Sequence, residues 1–318
     1  MRICTSNRIT VHHAGPLHMI VYLKLVWTAV FWGGTFVAGR IVAQEVGPFS
    51  AAFLRFLTAS FCLILFTWRV EGKIPLPEKR LFPALAVLGL TGVFSYNVFF
   101  FMGLERIEAS RASLIIANNP VFITLFSALI FRDRLQPLAI LGILLSVTGA
   151  AVVISRGDLD YVLQGVVGLG ELFIFCCVLS WVAYSLVGKV VLAVLSPLAS
   201  VTWASLIGMT ALALPACLEG LPLQMLDYSA ASWASILYLG FFGTVLGFVW
   251  YYRGIREIGP ARASQFINLV PVSAILLAAV ILDEPLSLSL LTGAALVLTG
   301  ITLTNRSSSR PGKARCTP

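Results

Sequence analysis

Long apolar runs, interrupted by short segments that carry most of the charges, follow one another along the whole chain. A membrane-spanning helix needs about 20 apolar residues, and it satisfies its own backbone groups within lipid. The alternating strands of a β-barrel are absent from this pattern. We therefore predict an all-α integral membrane protein with ten transmembrane helices. The ten apolar runs are Leu25–Gly39, Phe56–Trp68, Leu81–Leu104, Ala112–Phe131, Leu135–Ser155, Leu172–Gly188, Val190–Leu218, Tyr228–Tyr252, Ala263–Leu282 and Pro285–Asn305.

The composition excludes the common soluble classes of protein. Of the 318 residues, 58% are hydrophobic and 11% are charged, and the mean hydropathy is +0.93. A soluble domain carries about 25% charged residues, so soluble enzymes and nucleic-acid-binding proteins are excluded despite the net charge of +8. Membrane topology explains the excess of Lys and Arg, and no nucleic-acid partner is expected.

The basic residues predict the orientation of the helices. With the N-terminus inside the cell, 17 of the 22 Lys and Arg residues fall on the inner side and five on the outer side, in agreement with the positive-inside rule. Residues 1–19 and 306–318 are therefore predicted to be cytoplasmic tails, the second of them basic. Residues 1–18 lack the apolar core of a signal peptide, and the sequence leaves open whether translation starts at Met1 or Met19.

The second half of the chain repeats the first. When the sequence is shifted by 151 residues, the segment from Gly103 to Ala150 shows 16 identities in 48 ungapped positions. Near the start of each half, a shift of 149 residues aligns Trp32 with Trp181. We therefore divide the chain into two five-helix repeats, 20–155 and 165–305. Because five is an odd number, the second repeat is predicted to be inverted in the membrane, an architecture typical of alternating-access transporters.

Several motifs carry a family resemblance. They are Trp32-Gly-Gly-Thr-Phe36, Leu54-Arg55-Phe56 and Ala109-Ser-Arg-Ala-Ser113 in the first repeat, and Pro260-Ala-Arg-Ala-Ser264 and Asp283-Glu-Pro285 in the second. From Ile20 to Thr304 the chain resembles the paired EamA domains of the drug/metabolite transporter superfamily. The resemblance implies a ten-helix permease of the inner (plasma) membrane, commonly an exporter of amino acids, metabolites or drugs. One departure is Ala204, which stands in the second repeat where the first has Arg55.

Amide side chains inside the predicted spans are candidates for substrate binding, because polar groups in lipid are costly. Tyr96 and Asn97 in span three are both candidates, and Asn97 either contacts a substrate or makes an interhelical hydrogen bond. Prolines accompany the amides of spans four and nine, and paired helix breaks at corresponding positions indicate a transporter site or only shape the bundle. The residues concerned are Asn118, Asn119 and Pro120 in span four, and Gln265, Asn268 and Pro271 in span nine.

Four aromatic residues inside the spans extend the candidate site. Trp32 and Trp181 occupy corresponding positions of the two repeats, Tyr184 follows one turn after Trp181, and Tyr251 belongs to span eight. Such rings stack on a ligand or pair with a cation in some proteins, and in others they only pack against neighbouring helices. Both interpretations are kept for these four rings.

Two charged residues lie within the spans. Arg55 is just below the predicted outer surface, so it either snorkels to that surface or binds a substrate carboxylate. Glu171, at the outer end of span six, is a candidate proton-coupling acid. The alternatives for Glu171 are a solvated helix end or a partner of Arg40 or Arg55.

Together these residues predict a transporter whose cavity is lined by spans one, three, four, six, eight and nine, with spans five and ten outside it. A lining of amides and aromatic rings suits small amphipathic substrates, whereas phosphate esters require several basic groups. With the resemblance, we expect a secondary transporter that exports small metabolites such as amino acids by alternating access. Efflux of drugs or cationic compounds is the alternative within the fold. A membrane-embedded scaffold or enzyme is the alternative of a different class.

Catalysis is not expected from this sequence. All three histidines, His12, His13 and His18, precede the first span, and the chain has no nucleotide-binding loop, nucleophile motif or metal cluster. We therefore expect no enzyme activity, no cofactor and no metal. The expected partners are the lipid bilayer and a small-molecule substrate. A coupling ion, with the proton as candidate, and a homodimer through spans five and ten are left open.

Overall fold

The computed structural model describes residues 16–131, 135–158 and 168–308. Across these residues the secondary structure is helical, without a strand, and ten helices are long and apolar enough to cross a membrane. The predicted all-α membrane fold with ten spans is confirmed. Most of both predicted tails and the predicted start of the second repeat lie outside the described residues. The helices are α1 Met19–Ala43, α2 Pro48–Glu71, α3 Lys79–Leu104, α4 Ala109–Ile130, α5 Pro137–Ile154, α6 Leu169–Leu192, α7 Pro197–Leu218, α8 Ala230–Ile258, α9 Ser264–Ile281 and α10 Leu288–Asn305.

Charged residues mark the helix ends less well than the sequence predicted. α2 begins at Pro48 rather than at Phe56, and Arg55, which we expected just inside the outer end of this span, lies inside the helix. The predicted span Val190–Leu218 begins too early, because its first residues belong to α6 and α7 begins only at Pro197. A basic residue is tolerated within a membrane helix when its side chain reaches the membrane surface or a polar group on a neighbouring helix. A charged residue therefore does not have to mark the end of a helix.

Large apolar side chains project outward from the bundle, among them Phe61, Leu214 and Val280. Water would disfavour such a surface, whereas lipid tails match it. Inside the bundle, Phe100 and Phe101 of α3 are fully buried. The chain is therefore a multi-pass membrane protein.

Two π-helical turns occupy corresponding positions in the two repeats. They are Gly89–Ser95 in α3 and Leu239–Leu246 in α8. Gly89 packs on the backbone of Ala204 in α7, and Gly240 packs on the backbone of Arg55 in α2. A Cβ atom would lie 3.0 Å from the Ala204 carbonyl oxygen in the first case and 2.9 Å from the Arg55 carbonyl oxygen in the second. Both close approaches therefore depend on glycine, and each joins one repeat to the other.

Equivalent helices α2 and α7 run antiparallel. Where α7 ends, the Glu219 carboxylate accepts hydrogen bonds from the backbone amides of Phe49 and Ser50, at 3.3 and 2.6 Å. At the opposite end of the pair, the Ser196 hydroxyl donates to the Glu71 carboxylate at 2.5 Å. These contacts support the predicted inversion of the second repeat.

Helices α5 and α10 also form an antiparallel pair, with glycines at the contact. Gly142 near the start of α5 packs on the backbone of Gly300 near the end of α10, and Gly149 packs on the backbone of Gly293. Small residues allow membrane helices to approach closely in this way. These glycines thus serve a contact within one chain, and the homodimer through α5 and α10 stays a prediction.

Candidate functional site

The ring of Trp32 lies between α1 and α8. Its indole Nε1 donates a hydrogen bond to the carbonyl oxygen of Gly243 at 2.9 Å, within the π-helical turn of α8. Its ring centroid is 5.3 Å from that of Tyr251 and 5.7 Å from that of Phe248. A tryptophan of the first repeat is therefore oriented by the irregular turn of the second.

The equivalent tryptophan, Trp181, lies between two tyrosines. Its ring centroid is 5.5 Å from that of Tyr96 in α3 and 5.0 Å from that of Tyr184, on which it stacks. The Tyr184 ring covers Gly92, where a Cβ atom would lie 2.2 Å from the ring. The π-helical turn of α3 thus provides the surface on which this group of rings packs.

The two groups of rings approach each other between the repeats. Phe100 is stacked on Tyr96 and also contacts Phe36 of α1, with centroid distances of 6.0 and 5.5 Å. Tyr252, beside Tyr251, lies within electrostatic reach of Tyr184. Most of these rings are half-buried rather than sealed in the core. We call five of the half-buried rings the aromatic centre: Trp32, Tyr96, Trp181, Tyr184 and Tyr251.

Arg55 reaches the same region from α2. Its guanidinium Nη2 donates to the Thr244 hydroxyl of α8 at 3.4 Å, and it lies within electrostatic reach of Tyr96. The group points toward the middle of α8, so Arg55 does not snorkel to the predicted outer surface. The sequence named Arg55 as a candidate but did not identify Thr244 as its partner.

Asn97 is buried and hydrogen-bonded within its own helix. Its Nδ2 donates to the carbonyl oxygens of Val93 and Gly92 at 2.8 and 3.3 Å, both in the π-helical turn. Its Oδ1 is buried and has no hydrogen-bond partner. Among the described residues, then, the Asn97 amide nitrogen stabilises the turn next to Tyr96 and makes no interhelical bond.

Asn118 joins α4 to α5. Its Nδ2 donates to the Leu114 carbonyl oxygen at 2.9 Å, and its Oδ1 accepts from the Ser146 hydroxyl at 2.7 Å. Both side chains are buried, and Asn118 contacts α5 rather than the aromatic centre. The neighbouring Asn119 is half-buried, with an Oδ1 atom that has no partner.

Both proline-containing helices are irregular. The helical structure of α4 stops at Ile116 and resumes at Asn119, directly before Pro120. α9 begins with a 3₁₀ turn, Ser264–Asn268, three residues before the buried Pro271. Within this turn, Gln265 is exposed and Asn268 is half-buried. The turn packs at the start of α1, where the ring of Phe266 lies 5.9 Å from that of Tyr22.

Glu171 lies in the first turn of α6 and is only 9% exposed, so it is not a solvated helix end. The expected partners bind elsewhere, because Arg40 donates to the Leu104 carbonyl oxygen and Arg55 donates to Thr244. Its suggested role as a coupling acid stays a prediction.

Sequence reasoning missed a set of glutamates that bind helix N-termini across the repeats. Glu45 accepts from the Ser229 amide at the start of α8 at 2.7 Å. Glu284, after α9, accepts from the amide of Ala109 at 2.7 Å at the start of α4, and Glu219 binds the start of α2. We call Glu45, Glu219 and Glu284 the glutamate clasps. The available signal was a glutamate in the short segment that follows a span, since the N-terminus of a helix attracts anions.

Comparisons with known proteins agree with this architecture. The sequence profile of the EamA-like transporter family matches residues 19–155 and 168–306. The chain is 28% identical to a Bacillus subtilis (strain 168) protein named "Uncharacterized transporter YyaM", across 89% of this chain and 93% of that protein.

Two similar proteins carry names that mention a substrate. One, from Streptantibioticus cattleyicolor, is named "Probable terminal-alkyne amino-acid exporter" and is 29% identical across 92% of this chain and 96% of its own. The other, from Salmonella typhimurium, is named "Probable amino-acid metabolite efflux pump" and is 29% identical across 86% of this chain and 90% of its own. A solved crystal structure with a TM-score of 0.59 and 21% identity covers 90% of this chain and 98% of that chain, which shows the fold alone.

Proposed function

We propose that this chain, which belongs to the EamA-like transporter family, exports small amphipathic metabolites, amino acids first, by alternating access. The single observation that carries the substrate class is the aromatic centre, which gathers rings from both repeats beside one guanidinium group. Aromatic rings bind apolar side chains and ammonium groups. Two similar proteins named for amino-acid export or efflux support the direction of transport.

Alternating access draws support from the contacts between repeats. Inverted repeats of transporters hold their substrate at the repeat interface, where one repeat moves against the other. In this chain, Trp32 of α1 and Arg55 of α2 each donate a hydrogen bond to a residue of α8. A change in the angle between the repeats therefore alters the site directly, and the proposal places transport, rather than catalysis, at this interface.

Efflux of cationic or aromatic drugs is the second candidate. The Trp181–Tyr184 stack, with centroids 5.0 Å apart, favours it because flat rings and cations bind to such surfaces. The positive charge of Arg55 opposes it, since like charges repel when both are removed from water. Amino acids, which carry a carboxylate together with their ammonium group, fit both features.

The proposed location is the inner (plasma) membrane with both termini in the cytoplasm. The 17 basic residues on the predicted inner side against five on the outer support this orientation. The coupling ion is proposed to be the proton, with Glu171 as the acid that carries it. Glu171 suits that role because it is an acid at the end of a span and largely buried.

The test is tolerance to a toxic amino-acid analogue in cells that overproduce the protein. We expect raised tolerance, and Trp181→Ala should reduce it while membrane abundance stays unchanged. The matched control is Trp68→Ala, because Trp68 is 61% exposed on the outside of α2. Raised uptake into energised cells without a gain in tolerance would reverse the direction. If no analogue or drug is transported at all, the result would favour the alternative of a membrane-embedded scaffold.

A further inference from the structure

We propose that Arg55 and Thr244 form a carboxylate-binding subsite, so that the transported compounds carry a carboxylate beside an apolar or aromatic body. This inference rests on the proposed function and adds the chemical group by which the site selects its substrate. The two residues belong to different repeats and lie 189 positions apart in the chain. The subsite therefore exists only where the repeats meet.

The direction in which Arg55 points is the first argument. Its backbone lies about 10 Å along α2 from Pro48, at 1.5 Å per residue, and Gly240 of α8 packs beside its carbonyl oxygen. Thr244 is one helical turn further along α8, away from the predicted outer surface. The guanidinium thus extends toward mid-membrane, opposite to the outward direction in which an arginine relieves its own charge.

The lack of a counter-charge is the second argument. Among the described residues, no acidic side chain forms an ion pair with Arg55, and its Nε is buried without a hydrogen-bond partner. The titratable group within electrostatic reach is the Tyr96 hydroxyl, which is neutral at physiological pH. A charge within a membrane protein is costly unless it is paired. An anion that enters the site supplies the missing partner.

The orientation of Thr244 is the third argument. Its hydroxyl donates to the carbonyl oxygen of Leu239 at 3.0 Å, within the π-helical turn, so its lone pairs face Arg55 and accept from Nη2. One of the five guanidinium N–H groups is thereby engaged, and Nε–H remains for a ligand. A planar guanidinium held at one corner presents an edge that matches the two oxygens of a carboxylate.

The surroundings of Arg55 define the rest of the ligand. Tyr96, which lies within electrostatic reach of the guanidinium, contacts the ring of Trp181, and Trp181 stacks on Tyr184. The body attached to the carboxylate therefore meets aromatic surfaces. An ammonium group on the same ligand is also accommodated by cation–π contacts with these rings. The class is therefore zwitterionic or anionic organic acids, and simple amines lack the group that Arg55 requires.

Binding to the purified full-length chain tests the subsite directly. The probes are phenylacetate, its neutral analogue phenylacetamide, and benzylamine as a cation, with dissociation constants measured by tryptophan fluorescence and thermal shift. We expect wild-type protein to prefer phenylacetate to phenylacetamide by roughly tenfold or more, since charge-assisted hydrogen bonds are about twice as strong as neutral ones. Arg55→Gln should abolish that preference, and Arg55→Lys should restore part of it.

The control variants separate binding from folding. Arg106→Gln changes a partly exposed arginine that pairs with Glu105, and it should leave the preference intact. Thr244→Val removes the hydroxyl that accepts from Arg55 but keeps the charge of Arg55. It should raise the dissociation constant of phenylacetate several-fold and leave that of phenylacetamide unchanged. If Arg55→Gln does not fold, chemical modification of Arg55 in the wild-type protein by phenylglyoxal takes the place of the variant. Phenylacetate, but not phenylacetamide, should then protect Arg55 from modification.

The outcomes distinguish this inference from the proposed function. If Arg55→Gln lost affinity equally for phenylacetate and for phenylacetamide, the subsite would be overturned, because Arg55 would then only support the fold. An inorganic anion that binds Arg55 as tightly as phenylacetate would also overturn it. If cells export amino-acid analogues while Arg55→Gln keeps the carboxylate preference, the subsite fails and export stands. If the preference depends on Arg55 but no compound is exported, the subsite stands and export fails.

Discussion

Glu45 and Ser229 join the end of α1 to the start of α8, where the Glu45 carboxylate accepts from the Ser229 amide at 2.7 Å and from its hydroxyl at 2.6 Å. A third donor, the Ser232 hydroxyl, binds the same carboxylate. With Glu219 and Glu284, this contact places the three glutamate clasps on the predicted outer face, each between helices of different repeats. In the proposed alternating-access cycle, the repeats would separate at that face to open the site, and the clasps would oppose this separation.

The first prediction concerns the pH dependence of the Glu45 clasp. Hydrogen bonds from the Ser229 and Ser232 side chains and from the Ser229 backbone lower the pKa of Glu45 in the folded protein. A carboxyl group whose folded pKa is lowered contributes stability above its ordinary pKa of about 4.3 and loses it as the pH falls through the folded value. Glu45→Gln should therefore lower the melting temperature at pH near 7.

The loss caused by Glu45→Gln should shrink in acid, since the wild-type clasp is then protonated as well. Glu78→Gln is the control, because Glu78 pairs with Arg80 in an exposed position outside the clasps. Melting temperatures measured across the acid range test the prediction. A difference between wild type and Glu45→Gln that stays constant down to strongly acidic pH would contradict it.

The second prediction compares the same substitution at two glycines. A Cβ atom at Gly149 would lie 2.8 Å from the Gly293 carbonyl oxygen, whereas at Gly188 the nearest atom, in the Leu88 side chain, is 3.9 Å away. Gly149→Ala should separate α5 from α10 and destabilise the protein by roughly 1–3 kcal/mol, as overpacking does. Gly188→Ala should be neutral or stabilising, because alanine favours a helix.

Thermal unfolding in detergent, together with the oligomeric state, checks the comparison of the two glycines. Both variants make the same change in helix propensity, so the difference between them reports packing alone. If Gly149→Ala changed the oligomeric state and left the stability of the chain unaltered, the glycines would serve a dimer seam rather than the contact described here.

Much of the fold was predictable, because the hydrophobic pattern and the duplication depend only on residue type and spacing. The partners of polar side chains were not. Asn97 and Asn118 are both amides in apolar runs, yet one bonds to its own helix and the other to α5. Helix periodicity does not specify a residue on a distant helix. The π-helical turns were also hidden, since an extra residue in a helical turn leaves no sequence pattern of its own.

For the same reason, the partner of Arg55 on a distant helix could not be predicted from the sequence. The sequence placed this arginine near a surface and allowed either snorkelling or ligand binding. Its direction depends on Gly240, which brings α8 against α2 and places Thr244 one turn deeper. That contact lies between the two repeats, and the position of one repeat relative to the other was not available from either one alone.

The third prediction tests the orientation in the membrane. The loop between α2 and α3 contains Lys73 and is predicted to face the cytoplasm, while the segment between α7 and α8 contains the exposed Leu223 and is predicted to face outward. In a chain whose native cysteines are replaced, Leu223→Cys should react with a membrane-impermeant thiol reagent on intact cells. Lys73→Cys should react only after the cells are opened. The reverse pattern would invert the topology.

The last prediction separates the two buried amides. Asn97→Ala removes the hydrogen bonds that the amide nitrogen donates to carbonyl oxygens of the π-helical turn, so the turn should relax and shift the adjacent Tyr96. We expect a higher KM for the transported compound, with little change in membrane abundance. Asn118→Ala instead leaves the Ser146 hydroxyl without its partner between α4 and α5. A membrane hydrogen bond is worth about 0.6 kcal/mol on average, so abundance and melting temperature should fall modestly while KM is kept. Transport kinetics in vesicles, normalised to protein abundance, distinguish the two effects. The same change in KM and the same loss of stability in both variants would show that Asn97 only supports the fold.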